Sequence, residues 1–545
     1  MSSPEPATSA ASVSDHNGDS PSTQLTRSAG VIGAATLTSR LLGLLRDQVL
    51  AYLFGAGNAM DAFNVATRIP NLLRDLFAEG AMSAAFVPAF MRRLTKHGKA
   101  AAWQLGNQLV NTLLVVTGAI VLVGIIWAEP IAGFLAGSYA DVPGKLELTV
   151  LLTRLTLPFL TLVATAAALM GMLNSLNRFF VPALSPAMYN VGVIAGGAFL
   201  VPVMPGLGLE PIVGIAIGAL LGGIGQVAIQ LPALYQQGFR YKVQLNPKDS
   251  GLHEILRLMG PGTVAGAAVQ INLLVNMVLA TGQGTGAVSW LGYAFRVMYL
   301  PIGLFGVSIA SAVLPTVSRH AAQNDTDSMR ATVARALRLM LVLNVPATVG
   351  LVTLGEPIVE LLFERGSFGA IDTTATTAAL LFYAPGLIGY SAVRIAVPAF
   401  YALGNSLTPA YISVGAVTLN IILNLILVNV MGYQGLALGT TIAALFNAVT
   451  LLWLLNRRLG GLELPSVMRV FLKITAASIA MGWTAVESHA ALSSLLNSQT
   501  FLTKLATVSL SVTLAVVVLW ISAKLIRLHE LGQMLNDLKS KITPR

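Results

Sequence analysis

Apolar runs of about twenty residues or more follow one another along almost the whole chain. They lie near 28–54, 60–91, 104–127, 149–172, 179–202, 209–234, 254–281, 288–316, 332–354, 374–399, 409–430, 434–455, 470–487 and 503–523. In hydrocarbon every backbone polar group must be satisfied internally, so an unbroken run of that length has to be an α-helix. The expectation is an all-α polytopic membrane protein with about 14 transmembrane helices. Composition agrees: 10% of the 545 residues are charged, against about 25% in a soluble domain. Cysteine is absent, which excludes disulfides, thiolate catalysis and cysteine-bound metal. Residues 1–26 contain no Lys or Arg and are rich in Ser, Ala and Pro; they read as a disordered cytoplasmic tail and not as a signal peptide.

The net charge of +10 raises the question of nucleic acid, and its placement answers it. With the N-terminus cytoplasmic, the inner connections hold Arg92, Arg93, Lys96 and Lys99, then Arg240, Lys242 and Lys248, then Arg457, Arg458 and Arg469, among others. The outer connections hold only Lys145 and Arg365. That asymmetry is the positive-inside signature of a membrane protein with both termini cytoplasmic, so no nucleic-acid partner is expected.

An internal repeat organises the runs. LSPAMYNVGVIAGGAFL (184–200) returns as LTPAYISVGAVTLNIIL (407–423), GIAIG (214–218) as GLALG (435–439), and LFAEGAMSAAFVP (76–88) is echoed by LFGVSIASAVLP (304–315). Six runs separate the copies, and because six is even the copies share one orientation, related by an axis along the membrane normal. The chain therefore divides into two parallel six-helix lobes, 27–240 and 241–460, followed by two extra helices in 461–525 and a cytoplasmic tail, 526–545.

The first two runs carry Arg40, Arg46, Asp47, Arg68, Arg74, Asp75 and Glu79, with Asp61 at the turn between them. Each such charge at membrane depth costs about 2.5–3.5 kcal/mol on insertion scales and belongs in a bundle interior or a water-filled cavity. At about 100° per residue, Asp61, Arg68, Asp75 and Glu79 fall within roughly 20° of one line, with Pro70 bending the helix between them. Arg296 is the one deep charge assigned to the second lobe. Together these residues predict a polar cavity that handles a charged ligand.

TSRLLGLLRD (38–47), FGAGNAMDAF (54–63), RIPNLLRDLFAEGAMSAAFVPAF (68–90), FERGSFGAIDT (363–373) and PAFYALGNSLTP (398–409) resemble the MurJ/MviN family, the lipid II flippases of bacterial peptidoglycan synthesis. The resemblance runs from about 27 to 460, leaving the N-terminal tail and the last two helices outside. It implies the fold of the multidrug/oligosaccharidyl-lipid/polysaccharide exporter superfamily, an inner-membrane location, and a substrate site between the lobes. Lipid II is the implied partner, with membrane lipids around it and other cell-wall synthesis proteins as further candidates. Arg40, Arg46, Arg74 and Arg296 match family positions that meet the lipid-linked diphosphate, a ligand suited to the planar fork of arginine. Asp47, Asp61 and Glu79 match acidic positions that would hold those arginines.

Two departures stand out. Many relatives have an acid just before the arginine of the eighth run and a polar residue three positions after it, where this chain has Phe295 and Tyr299. Some relatives bind sodium near runs seven, eleven and twelve with an Asp among the ligands, whereas Asn272, Asn276, Asn420 and Asn424 are neutral and would hold it weakly. No metal or other cofactor is expected. The chain has no G-x-x-x-x-G-K-[ST] phosphate loop, so the membrane potential is the expected energy source. The resemblance implies that the last two helices form a groove for the polyprenyl tail.

Rival classes fare less well. An intramembrane enzyme would want paired carboxylates or histidine in a large polar loop, and the six histidines are scattered. A drug/cation antiporter of the same superfamily would want an acidic or aromatic cavity. Export of another polyprenyl-diphosphate-linked sugar is compatible with the same arginines.

Overall fold

The computed structural model describes residues 21–77, 81–246, 248–303, 307–496, 500–528 and 530, and among them there is no β-strand. The first half of the chain contributes α1 (Pro21–Phe54), α2 (Asn58–Ala66), α3 (Arg68–Phe77), α4 (Ala81–Ile126), α5 (Ala128–Ala136), α6 (Lys145–Thr156), α7 (Phe159–Ser175), α8 (Phe180–Ala195), α9 (Val213–Ala228) and α10 (Leu231–Gln236). The second half contributes α11 (Ser250–Thr281), α12 (Ala287–Pro301), α13 (Val307–Ala322), α14 (Thr326–Thr353), α15 (Gly355–Phe363), α16 (Ala370–Tyr383), α17 (Gly386–Ala402), α18 (Leu407–Met431) and α19 (Tyr433–Arg458). Two further helices follow, α20 (Leu464–Leu495) and α21 (Phe501–Leu525).

Each of the apolar runs is helical over most of its length. Among the described residues, nine helical stretches are long and apolar enough to cross a membrane, or ten when α16 and α17, bent by 45°, count as one. Residues 21–26, expected in the tail, instead open α1. Residues 1–20 and 531–545 lie outside the described residues.

The second run departs most from expectation, because Thr67 divides it into α2 and α3. Pro70 has no N–H to return to the carbonyl of Ala66, and its ring crowds that carbonyl. The hydroxyl of Thr156 donates to the vacant Ala66 oxygen at 3.3 Å. Further on, Gly98 (φ 78°, ψ −179°) lets α4 turn between the second and third runs, in a region where an L side chain is strained.

Packing repeats as the sequence does. In the first half α1 lies on α8, α8 on α9, α7 on α9 and α4 on α7; in the second, α11 lies on α18, α18 on α19, α17 on α19 and α14 on α17. The GIAIG and GLALG segments explain one of these pairings. Gly214 and Gly218 bring α9 so close to the backbone of 192–201 that any side chain would collide, and Gly435 meets the backbone of Leu427 in the same way. Helices α20 and α21 pack on each other and α20 on α14.

The halves meet at both ends of the bundle. At the end carrying the α1–α2 turn, one core joins Leu50, Met60 and Phe63 to Tyr293, Phe363 and Leu380. At the other, Phe86, Phe90 and Leu105 of α4 pack with Leu252 and Ile255 of α11. Asp249 caps α11 by accepting from the N–H groups of Gly251 and Leu252.

Candidate anion-binding cavity

A cavity of about 440 Å³ is walled by α1, α2, α3, α7, α8 and α9 of the first half, and Arg296 of α12 brings the second half to its lining. Its charged lining is Arg46, Arg68, Arg74, Asp75 and Arg296. Arg46 turns its guanidinium back onto its neighbour, donating from Nε and Nη2 to Asp47 Oδ1 at 3.1 and 2.8 Å. Its Nη1 donates to Asn190 Oδ1 at 3.0 Å, and Asn190 is held in turn by the carbonyl of Ser39 at 3.1 Å. Arg296, whose expected neighbours are replaced by Phe295 and Tyr299, reaches across from α12 to the same Asp47 oxygen at 3.3 Å. One buried carboxylate therefore holds guanidiniums from both halves.

The second cluster sits on α3. Arg74 donates to Asp75 Oδ1 from Nε at 3.1 Å and Nη2 at 2.8 Å. Arg68 and Asp75, seven residues apart on one line, meet through Gln270 of α11: Arg68 Nη2 donates to its Oε1 at 3.1 Å, and its Nε2 donates to Asp75 Oδ2 at 3.3 Å. Among the described residues four guanidiniums thus face two carboxylates, which leaves an excess of positive charge at the hollow. In a low-dielectric, partly enclosed space that excess favours a multivalent anion with several acceptor oxygens.

Not every residue expected here lines the cavity. Arg40 lies off the wall, its guanidinium resting over Gly303 just beyond α12. Glu79 lies outside the described residues. Asp61 departs from the predicted stripe because the break at Thr67 severs α2 from α3. Its carboxylate is buried instead at the end of the bundle, paired with Lys145 at 3.0 Å, both side chains only 1% exposed. It also accepts from Gly286 N at 2.7 Å, Ser289 N at 3.2 Å and Ser289 Oγ at 2.8 Å. Asp61 ties the two halves together there, and Lys145 is not a solvent-facing loop charge.

Near the same end, Ser367 N donates to the carbonyl of Tyr52 at 2.9 Å and Ser367 Oγ to that of Leu53 at 3.0 Å. At the opposite end the ties are more exposed: Arg92 pairs with Glu254, and Arg93 pairs with Asp249 at 2.9 Å.

The asparagines bond to one another. Asn424 Nδ2 donates to Asn276 Oδ1 at 2.5 Å and to Asn420 Oδ1 at 3.1 Å, so two amide oxygens are already taken. Asn272 Oδ1 and Asn424 Oδ1 are buried without a hydrogen-bond partner, but with no carboxylate among them these amides would hold a sodium ion only weakly. A second hollow of about 510 Å³ is almost wholly apolar, lined by Leu343, Pro346 and Leu351 of α14, Met481 of α20, and Val516 and Trp520 of α21.

Sequence reasoning missed Arg394, which is a second deep cation of the second half, in α17. Its position inside the run 374–399 was the available signal.

Two similarly packed helical halves around a cationic central hollow define a membrane transporter. Solved structures agree on the fold. An inward-facing MATE-family transporter of the MOP superfamily matches with a TM-score of 0.66 at 15% identity, covering 80% of this chain and 99% of that one. A structure described as lipid II flippase MurJ, inward closed conformation, matches with a TM-score of 0.72 at 27% identity, covering 91% and 98%. The profile of the family described as Lipid II flippase MurJ matches residues 50–513, and the chain belongs to that family. The match continues through α20 into α21, so the last two helices are part of the family pattern after all. Among curated relatives, the probable lipid II flippase MurJ of Vibrio cholerae serotype O1 is 36% identical over 441 residues, covering 79% of this chain and 82% of the relative. The lipid II flippase MurJ of Burkholderia cenocepacia is 32% identical over 463 residues, covering 84% and 89%.

Proposed function

We propose that this protein moves lipid II, an undecaprenyl-diphosphate disaccharide-pentapeptide, from the inner to the outer leaflet of the bacterial plasma membrane by alternating access. The observation that carries the reading is the convergence of Arg46, Arg68 and Arg74 of the first half and Arg296 of the second on one cavity, where among the described residues Asp47 and Asp75 are the acids paired with them. In the empty protein those acids hold the arginines in place and screen them from one another. When a diphosphate arrives, its oxygens replace part of that carboxylate pairing, and the freed acids become available to the other arginines as the halves rock.

The N- and C-termini are cytoplasmic in this reading, so the exposed Arg92 tie and the half-buried Arg93 tie form the inner gate and the buried Asp61 network the outer one. The apolar hollow between α14, α20 and α21 takes the polyprenyl chain, for which a polar lining would be unfavourable. Energy comes from the membrane potential, at about 2.3 kcal/mol per charge per 100 mV. With the interior negative, the anionic headgroup leaves downhill, and the arginine-rich empty cavity also returns downhill.

The deciding experiment is depletion of the protein from growing cells, followed by identification of the lipid-linked precursor trapped on the inner leaflet. Lipid II is the expected species. Build-up of a different polyprenyl-diphosphate sugar, with lipid II unchanged, would assign the cavity to that lipid instead.

A further inference from the structure

Helices α7 and α17 occupy equivalent places in the two halves. Each follows a proline, Pro158 and Pro385, each is 17 residues long, and each packs on the corresponding partners, α4 and α9 in one case and α14 and α19 in the other. On α7 the cavity wall is made by Phe159, Val163, Ala166, Ala167 and Met170. Ala167 is the ninth residue of α7, and the ninth residue of α17 is Arg394. By that equivalence position 394 falls on the face of α17 that corresponds to the cavity-lining face of α7.

Its partners support this placement. Nη2 of Arg394 donates to the hydroxyl of Tyr299 on α12, and the guanidinium lies 5.8 Å from the centre of that ring. Among the described residues no carboxylate lies within ion-pair distance of it, so a cation at membrane depth has only a neutral phenol for company. Tyr299 is 37% exposed and follows the cavity-lining Arg296 by three residues, about 4.5 Å along the helix axis. Phe295 stacks on Tyr299 with ring centres 5.6 Å apart, which fixes the phenol. Beyond them on the same side of α12 is Gly303, where the guanidinium of Arg40 rests.

We propose that Arg394 and Tyr299 form a second oxyanion position on the wall of the second half, one turn from Arg296, which takes the second phosphoryl group of a lipid-linked diphosphate. This rests on the function proposed above and extends it. Arg296, shared with Asp47, meets one phosphoryl group; Arg394, which pairs with no acid among the described residues, meets the other, with the Tyr299 hydroxyl free to turn its proton toward a phosphate oxygen.

The test measures binding to the full-length purified protein in nanodiscs, using a C15 polyprenyl diphosphate, the corresponding monophosphate and inorganic diphosphate as probes. Arg394→Gln is expected to weaken the diphosphate lipid about tenfold, the weight of one charge-assisted hydrogen bond, while changing the monophosphate less than about twofold. Arg394→Lys should recover only part of the loss, and Tyr299→Phe should weaken the diphosphate lipid by about threefold. Equal losses for both lipids would mark damage to the bundle and overturn the proposal. So would no loss for either lipid in a protein whose Arg296→Gln variant does lose the diphosphate, an outcome that leaves the proposed function standing. If neither Arg296→Gln nor Arg394→Gln changes diphosphate binding, both readings fall. Competition by inorganic diphosphate as strong as that of the lipid would overturn the lipid-linked assignment.

Discussion

Asp47 sits where the two halves share a charge, and a single oxygen of its carboxylate receives Arg46 and lies 3.3 Å from Arg296. Asp47→Asn keeps the volume and removes the charge, leaving two guanidiniums facing each other in a partly desolvated site. The expected loss of stability is about 3 kcal/mol, read as a lowered thermal midpoint of the purified protein and partly restored by a polyprenyl diphosphate. Arg296→Ala should abolish support of cell-wall growth with the protein still inserted, and Arg296→Lys should rescue poorly because a point charge lacks the planar fork. Arg40 is the sharper test, since it lies over Gly303 and away from the cavity wall. If the halves move as proposed, Arg40→Ala also fails to support growth; full complementation by both alanine variants would reject the assigned arginines.

The helices set up an asymmetry between the two ends of the seam. At one end Lys145 of α6 and Asp61 of α2 are sealed from solvent and bonded to the first turn of α12. Lys145→Met strands a buried carboxylate and should cost about 3–5 kcal/mol, with Asp61→Asn added in the same chain returning part of it, as urea or thermal unfolding would register. At the other end Arg92 and Glu254 are each 46% exposed, and pairs of that kind contribute about 1 kcal/mol or less. Arg92→Ala should therefore leave stability within about 1 kcal/mol and shift the population toward opening at that end. The chain contains no cysteine, so a single cysteine introduced near either seam reports the change directly. A membrane-impermeant maleimide should label the position near Arg92 faster in the Arg92→Ala protein, with no change at Ser367.

At the scale of the whole molecule, two halves with matched packing can rock about a shared centre only if the bonds across that centre have alternatives. Asp47 and Asp75 supply them, because each already has partners on two helices, Arg46 and Arg296 for Asp47 and Arg74 and Gln270 for Asp75. Transport of an anionic headgroup through such a centre responds to voltage. Vesicles loaded with lipid II should export it more slowly once the potential is collapsed, by about fifty-fold for one charge moved through 100 mV if that step limits the cycle. Export that continues at the same rate would remove the potential from the mechanism.

Helix placement was largely legible in the sequence because hydrocarbon leaves a long apolar run one conformation, and the repeat of GIAIG as GLALG marked helices that do pack alike. The deep arginines were legible too, since a charge inside such a run has few tolerable surroundings. Partners were not. Helical periodicity put Asp61 in line with Arg68 and Asp75, but it cannot register a helix break, and the break at Thr67 sends Asp61 to Lys145, 84 residues away. Neighbouring residues stand about 100° apart around a helix, yet the long flexible side chain of Arg46 folds back to Asp47. Periodicity passed over Arg394, whose meaning comes from α7, a helix 227 residues earlier. The sequence by itself determined which segments form apolar helices and which charges must be sheltered among them, because hydropathy is a property of each segment. Only the tertiary structure decided which charges meet, because an ion pair depends on distances between segments that no local pattern encodes.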